Sequence, residues 1–389
     1  MERDETEYVK SEKSMVGMQL LVFWVFLVFI GVSWFVHPLT LGLVIGAFFV
    51  LSEKILPKIT LRLARTKSIN VVATINPEKE YRLILCGHYD SSRVMGKFVQ
   101  KHMKTLRDVI PIMTLFYFTF VVILLVKGTY MLVSAGFAVN ALMELTMGMT
   151  GLWTVFWGFY FSVYLTVMVA MTILVMTRFF TKKLSYGADD NASGIAVMLE
   201  AAKRFLGKDS NLRLDFACFA AEERGLFGSR KWVNKHLNEI DRIKTYILNI
   251  DCVGRGEKFF ITRGLGTIFK RHSDPMLCSI MADALNEFDL PSEEAWAGNS
   301  DHAEFMEKNF RTCAISRCNT DKAGIATVIL RRLYRIPVKN RNIPHMDWIH
   351  TEEDTVDKID KKKLEETANV VARFIEKLDK RTSARCNHY

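Results

Sequence analysis

Apolar positions along this chain fall into short and long runs. The short runs Leu83-Ile84-Leu85-Cys86, Leu212 to Ala221 and Thr245 to Ile250 are closely followed by His88, by Glu222-Glu223 and by Asp251. Runs of this length that stop on polar residues predict buried strands of an open α/β sheet. Ser193 to Phe205 predicts a helix opened by a Gly/Asp/Asn/Ser loop, and Leu364 to Leu378 has the spacing of an amphipathic closing helix.

The long runs predict something different. Met15 to Val36 is uninterrupted for about 22 residues, long enough to span a bilayer. After His37-Pro38 a shorter run continues from Leu39 to Ser52, and a second block, Val109 to Thr177, is broken only by Lys127 and Glu144. The expectation is two transmembrane helical hairpins: residues 1–58 form the first, 108–178 the second, and 59–107 with 179–389 supply the two parts of one α/β domain.

Charge adds an orientation to that expectation. Lys54, Lys58, Arg62, Arg65 and Lys67 follow the first hairpin, Lys97, Lys101, Lys104 and Arg107 precede the second, and Arg178, Lys182 and Lys183 follow it. The positive-inside rule then expects a multi-pass membrane protein with the α/β domain on the cytoplasmic side and the lipid bilayer as a partner. The formal net charge of +10 fits anionic headgroups, and no motif points to nucleic acid. The seven cysteines are odd in number and lack a zinc-knuckle spacing, so they read as free buried thiols. The acidic and basic start, Met1 to Lys13, is not that of a removable secretory signal.

Candidate chemistry gathers where the strands end. His88, Glu222, Glu223 and Asp251 sit just past carboxyl ends of strands, the edge at which open α/β sheets bind ligands, and Asp190 lies in the loop before the helix from Ser193. Asp190, Glu223, Asp251 and one hydroxide would offset two divalent cations, leaving neutral His88 and His350 to complete the shell. A mixed nitrogen and oxygen set suits zinc. Without cations the clustered carboxylates would repel one another and be driven to protonate.

The order of these blocks carries a resemblance. Gly87-His88-Tyr89-Asp90-Ser91, Gly187-Ala188-Asp189-Asp190-Asn191-Ala192-Ser193-Gly194, Ala221-Glu222-Glu223-Arg224-Gly225, Asn249-Ile250-Asp251-Cys252-Val253-Gly254 and Ile349-His350-Thr351 resemble the co-catalytic zinc aminopeptidase family. That family includes bacterial leucyl aminopeptidases, aminopeptidase Y and glutamate carboxypeptidase. Ser300-Asp301-His302-Ala303-Glu304-Phe305 is similar to a sixth block, with Glu304 where proline is usual. The resemblance implies a mixed central sheet sandwiched by helices and two zinc ions per chain bridged by Asp190. It places His88 and Asp251 on one ion, Glu223 and His350 on the other, and makes Glu222 the general base, with Asp90 orienting His88. The implied activity is that of an exopeptidase, an aminopeptidase first, acting on a peptide or amide substrate with a hydrophobic or membrane-linked part. A glutaminyl cyclase-like enzyme and a catalytically inactive receptor or scaffold are the alternatives.

Other residues stay open at this level. Asp301 and His302 could serve the substrate pocket or cap a helix starting near Ala303. His345 lies near enough to His350 to be a rival ligand, and Asp354 fits a cap three residues after Thr351. Trp296 is a pocket wall or a packing residue, Arg331, Arg332, Arg335, Lys339 and Arg341 form a basic cluster, and the tail from Arg381 reads as loose.

Overall fold

The computed structural model describes residues 2–8, 66–105, 183–266, 270–296, 299–333 and 342–386, with isolated residues between 107 and 181. Ten strands form one mixed sheet: β1 (Glu2–Tyr8), β2 (Thr66–Ile75), β3 (Tyr81–His88), β4 (Leu212–Phe219), β5 (Thr245–Ile250), β6 (Lys258–Leu265), β7 (Arg271–His272), β8 (Ser292–Trp296), β9 (Arg311–Lys322) and β10 (Asn342–His345). Their order is β1-β2-β4-β3-β5-β9-β6-β7, with β10 beside β9 and β8 beside β6.

The strands richest in apolar residues occupy the centre because both of their faces are covered. Leu83 and Leu85 of β3 point to one face with Leu214, Phe216, Leu248 and Ile250, against the helices Gly194–Phe205, Pro275–Asn286 and Lys361–Cys386. Ile84 and Cys86 point to the other face with Ala217, Phe219 and Ile247, against Trp232, Val233, Phe305 and Phe310. This is the period-2 alternation of a strand buried on both sides.

Topology fixes where a site can form. β3 lies between β4 and β5 and runs parallel to both. The chain leaves β3 for β4 on one side and then crosses to β5 on the other. The crevice past the carboxyl end of β3 is therefore a topological switch point, open to side chains from three strands.

Several expectations change here. Among the described residues no helix is long and apolar enough to cross a membrane. That finding overturns the two transmembrane hairpins and the multi-pass location with a cytoplasmic-side domain, and leaves the bilayer as a partner without support. The apolar runs on which they rested, 15–52 and 109–177, lie outside the described residues apart from isolated positions. A run of apolar letters measures composition, and length alone does not make a span. The longest described helix, Lys361–Cys386, has 26 residues but sets its apolar stripe on the sheet and keeps charged residues on its outer side. It also continues through Arg381 to Cys386, where the pattern had predicted a loose tail.

Candidate metal centre

Each site residue sits where a strand or loop is forced to turn. β3 ends on His88, which is 1% exposed. Beyond β4, Ala221 takes a positive φ of 56°, so Glu222 and Glu223 leave the strand instead of alternating across it. The Glu222 carbonyl accepts the N–H groups of Gly225 and Leu226, both at 2.8 Å, and Gly225 has a φ of 107° that suits glycine. Beyond β5, Asp251 precedes Cys252, which also has positive φ, as does His350. Left-handed backbone at non-glycine residues, gathered at one crevice, is strain that the surroundings must hold in place.

The loop carrying Asp190 is held by polar side chains. Asp354 accepts the backbone N–H of Asp189 at 2.7 Å and of Asp190 at 3.3 Å. Asp189 in turn accepts the Gly254 N–H at 2.7 Å and the Trp348 indole N–H at 2.6 Å. Asn191 donates to the Ile250 carbonyl at 2.9 Å and accepts from Cys252 at 3.2 Å and Gly194 at 3.1 Å, tying this loop to the end of β5. A Cβ at Gly194 would lie 2.3 Å from Asn191 Oδ1 and 2.5 Å from the Ile250 carbonyl, so the close approach requires glycine. Sequence spacing singles out none of Asp189, Trp348 and Asn191 as supports. The paired acid Asp189-Asp190 is the available signal, because a second carboxylate beside a ligand must have donors of its own when buried.

Five residues converge on two triads that share Asp190. His88 Nε2 is 3.1 Å from Asp190 Oδ1 and 3.7 Å from Asp251 Oδ1. His350 Nε2 is 3.0 Å from both Asp190 Oδ2 and Glu223 Oε1. In each triad, His88/Asp190/Asp251 and Asp190/Glu223/His350, the candidate ligand atoms all lie within 4.8 Å of one another. Asp90 faces His88 with two groups, its backbone carbonyl 3.0 Å and its Oδ1 3.7 Å from His88 Nδ1, and its carboxylate also accepts the N–H groups of Glu222 at 3.1 Å and Glu223 at 3.3 Å.

The protonation pattern is that of a site built for positive charge. Burial would lower His88 and His350, yet Glu222, Asp190 and Asp251 raise His88 well above its usual value, and contacts with Asp190 and Glu223 raise His350 to about 9. Burial works to raise Asp190, but the two imidazoles outweigh it and hold its carboxyl far below the usual range. Glu222 is raised well above the carboxylate range by burial, with His88 opposing and Asp301, Glu223 and Asp251 adding. The buried Oε1 of Glu223 has no aligned hydrogen-bond donor among the described residues. An orphaned carboxylate oxygen facing an imidazole nitrogen, in an oxygen and nitrogen donor set, fits a divalent cation of the zinc type.

The remaining candidates are spread around this centre. Asp301 and His302 are buried at the start of the helix His302–Glu307; burial raises Asp301 to about 7 against the opposing pull of His88, and lowers His302 to about 4. His345 joins neither triad and instead lies 3.3 Å from Asp347 and 3.7 Å from Asp321. Trp296 packs on Gly264 and donates to the Gly266 carbonyl at 2.8 Å, a packing role. Arg331 and Arg332 lie on the helix Ile325–Leu333, and the rest of the basic cluster falls outside the described residues.

A switch-point crevice with two carboxylate and imidazole triads sharing one aspartate defines a candidate two-cation centre. Residues 170–375 match Peptidase family M28, and with more than half of its 389 residues covered the chain belongs to that family. Aminopeptidase YwaD of Bacillus subtilis is 28% identical over 200 residues, 51% of this chain and 39% of that protein. A probable leucine aminopeptidase of Arthroderma benhamiae is 29% identical over 197 residues, 48% of this chain and 47% of that protein. The chain spans less than half the length of these two relatives. The crystal structure of BSAP, a zinc aminopeptidase from Bacillus subtilis, aligns over 81% of this chain and 51% of that one, with a TM-score of 0.46 and 17% identity.

Proposed function

We propose that this chain is a zinc-dependent aminopeptidase that releases N-terminal residues from peptides, with Glu222 as its general base. The observation that carries the reading is the pair of triads sharing Asp190, with the partly buried Glu222 beside them. His88, Asp190 and Asp251 would hold one ion; Asp190, Glu223 and His350 would hold the other. Bound there, the ions supply Lewis acidity for the scissile carbonyl and lower the pKa of water.

The chain's own residues do the rest. Glu222 takes a proton from the attacking water on a carboxylate oxygen and delivers it to the departing amine nitrogen. A carboxyl whose surroundings raise its proton affinity retains that proton long enough to transfer it. Asp90 fixes the two glutamates by their backbone, so Glu223 can serve as a ligand while Glu222 remains available for proton transfer. Asp354 and Asp189 hold the Asp190 loop without entering the centre.

The test combines metal analysis with N-terminal residue release by wild type and Glu222→Gln. The expected result is two ions in both proteins and a fall in kcat of about 10²–10⁴ in the variant. Equal turnover would remove Glu222 from the role, and one ion or none in folded, metal-replete wild type would overturn the two-ion reading.

A further inference from the structure

The two triads are supported by different parts of the chain. His88, Asp190 and Asp251 rest on β3, β5 and the Asn191 tie, all within the buried sheet. His350 belongs to no strand and has a φ of 57°. For a residue with a Cβ, that conformation costs about 1–2 kcal/mol and must be imposed from outside.

The outside support comes from the two ends of the long stretch between β3 and Asp190. Those ends leave and return side by side: Arg93 bridges Leu184, the Val94 N–H donates to the Lys183 carbonyl at 2.9 Å, and the Ser185 N–H donates to the Ser92 carbonyl at 2.9 Å. From this root the Met95 N–H donates to the carbonyl of His350 itself at 2.7 Å, and Ser185 Oγ donates to the Thr351 carbonyl at 3.3 Å. Lys183 pairs with Glu352 at 3.0 Å. On the other side of His350, Arg107 reaches Asp347 at 2.8 Å and Asp321, at the end of β9, at 2.7 Å. His345 lies against the same two aspartates. One planar guanidinium therefore ties the segment that leads into the stretch both to the sheet and to the loop three residues before the candidate ligand.

We propose that the ends of this stretch clamp the His350 loop, with Arg107 as the positioning residue, so that the ion held by Glu223 and His350 depends on the clamp and the ion held by His88 and Asp251 does not. This rests on the two-ion reading above. Orientation of a ligand by residues that do not touch the metal is worth about 10–100-fold in affinity when lost.

The experiment measures zinc affinity of the full chain by competition with a chelator, resolving both ions, in wild type, Arg107→Met, Arg107→Lys, Asp347→Asn and His350→Ala. Expected is a loss of about tenfold for one ion in Arg107→Met and Asp347→Asn, with a smaller loss in Arg107→Lys. The affected ion is the one that His350→Ala abolishes, and the other keeps its wild-type affinity. Equal weakening of both ions, which a loosened fold would produce, or unchanged affinity for both overturns the proposal. Wild type that binds fewer than two ions overturns the two-ion reading and this inference with it. Circular dichroism identifies any variant that does not fold, and the remaining Arg107 or Asp347 variant then decides.

Discussion

The carboxylate of Asp90, two residues beyond His88, accepts the backbone N–H of Glu222 at 3.1 Å. Through this bond, and its neighbour to Glu223 at 3.3 Å, the end of β3 sets the turn that follows β4. His88 Nδ1 lies 3.0 Å from the Asp90 backbone carbonyl and farther, at 3.7 Å, from that carboxylate. Ligand orientation and glutamate placement are thus served by separate atoms of one residue.

Asp90→Ala separates the two roles. Removing the carboxylate frees two backbone donors at the Glu222-Glu223 turn and leaves the carbonyl facing His88 in place. The expected outcome is a fall in kcat of about 10-fold or more with KM changed less, since the lost interaction positions the group that moves the proton. Metal content should stay at the wild-type value. Loss of metal together with activity would show that the side chain supports His88 after all.

Metal removal should invert the pH dependence of stability. In the metal-free protein His350 titrates near 9, above its ordinary 6.5, because burial is outweighed by Asp190 and Glu223. A raised folded pKa gives stability that is complete below the unfolded value and is lost as pH climbs through the folded one. Glu223, raised chiefly by burial, acts in the same direction, since its ionisation costs more in the folded state. Metal-free protein should therefore lose on the order of 2 kcal/mol between pH 6 and 9. Zinc-loaded protein should not, because its ligands bind better as they lose protons. Thermal melts at the two pH values, with and without chelator, should show the gap widening as pH rises. A gap that narrows would contradict the arrangement.

What could be read from the letters, and what could not, follows a physical line. His88, Glu222-Glu223 and Asp251 could be placed at the sheet edge because each ends or follows a largely apolar run of strand length. The supports of Asp190 were not legible. Asp354 and Asp189 are joined across 165 residues by a backbone N–H, and backbone donors leave no trace in side-chain identity. Asp354 was expected to cap a helix, which is the local use of an aspartate at that spacing; its observed use is long-range. β1, Glu-Arg-Asp-Glu-Thr-Glu-Tyr, has no strand pattern and is ordered by pairing with β2 at the sheet's edge. The long apolar runs led to the opposite error, in which length alone produced spans that no described helix bears out.

Trp348→Phe tests the support beneath Asp190. The indole N–H donates to Asp189 at 2.6 Å in a place where Asp189 is fully buried and its carboxyl is raised to about 6 by that burial. Phenylalanine keeps an aromatic face for Arg255, which lies 4.8 Å from the indole centroid, and removes the donor together with part of the indole's volume. Leaving a buried carboxylate with one donor fewer costs about 1–3 kcal/mol. Urea denaturation should register this as a shift in midpoint without a change in slope. A variant as stable as wild type would mean that the Gly254 N–H, at 2.7 Å, suffices to hold the Asp189 carboxylate.

Asp301→Asn sets stability against use. Burial raises this carboxyl to about 7, so between pH 4 and 7 the unfolded chain ionises it while the folded protein does not. For a carboxyl with a raised folded pKa the penalty grows across that window and then levels off, so stability falls as pH rises through it. An amide of the same shape carries no such penalty. The metal-free variant should match wild type near pH 4 and exceed it by a few kcal/mol at pH 8, as denaturant titrations at the two values will show. If activity falls in the same variant, the buried acid is retained against its own cost to stability for a task at the centre. If the variant is less stable than wild type at pH 8, the carboxylate is held by donors that outweigh its burial, and the raised proton affinity assigned to it is wrong.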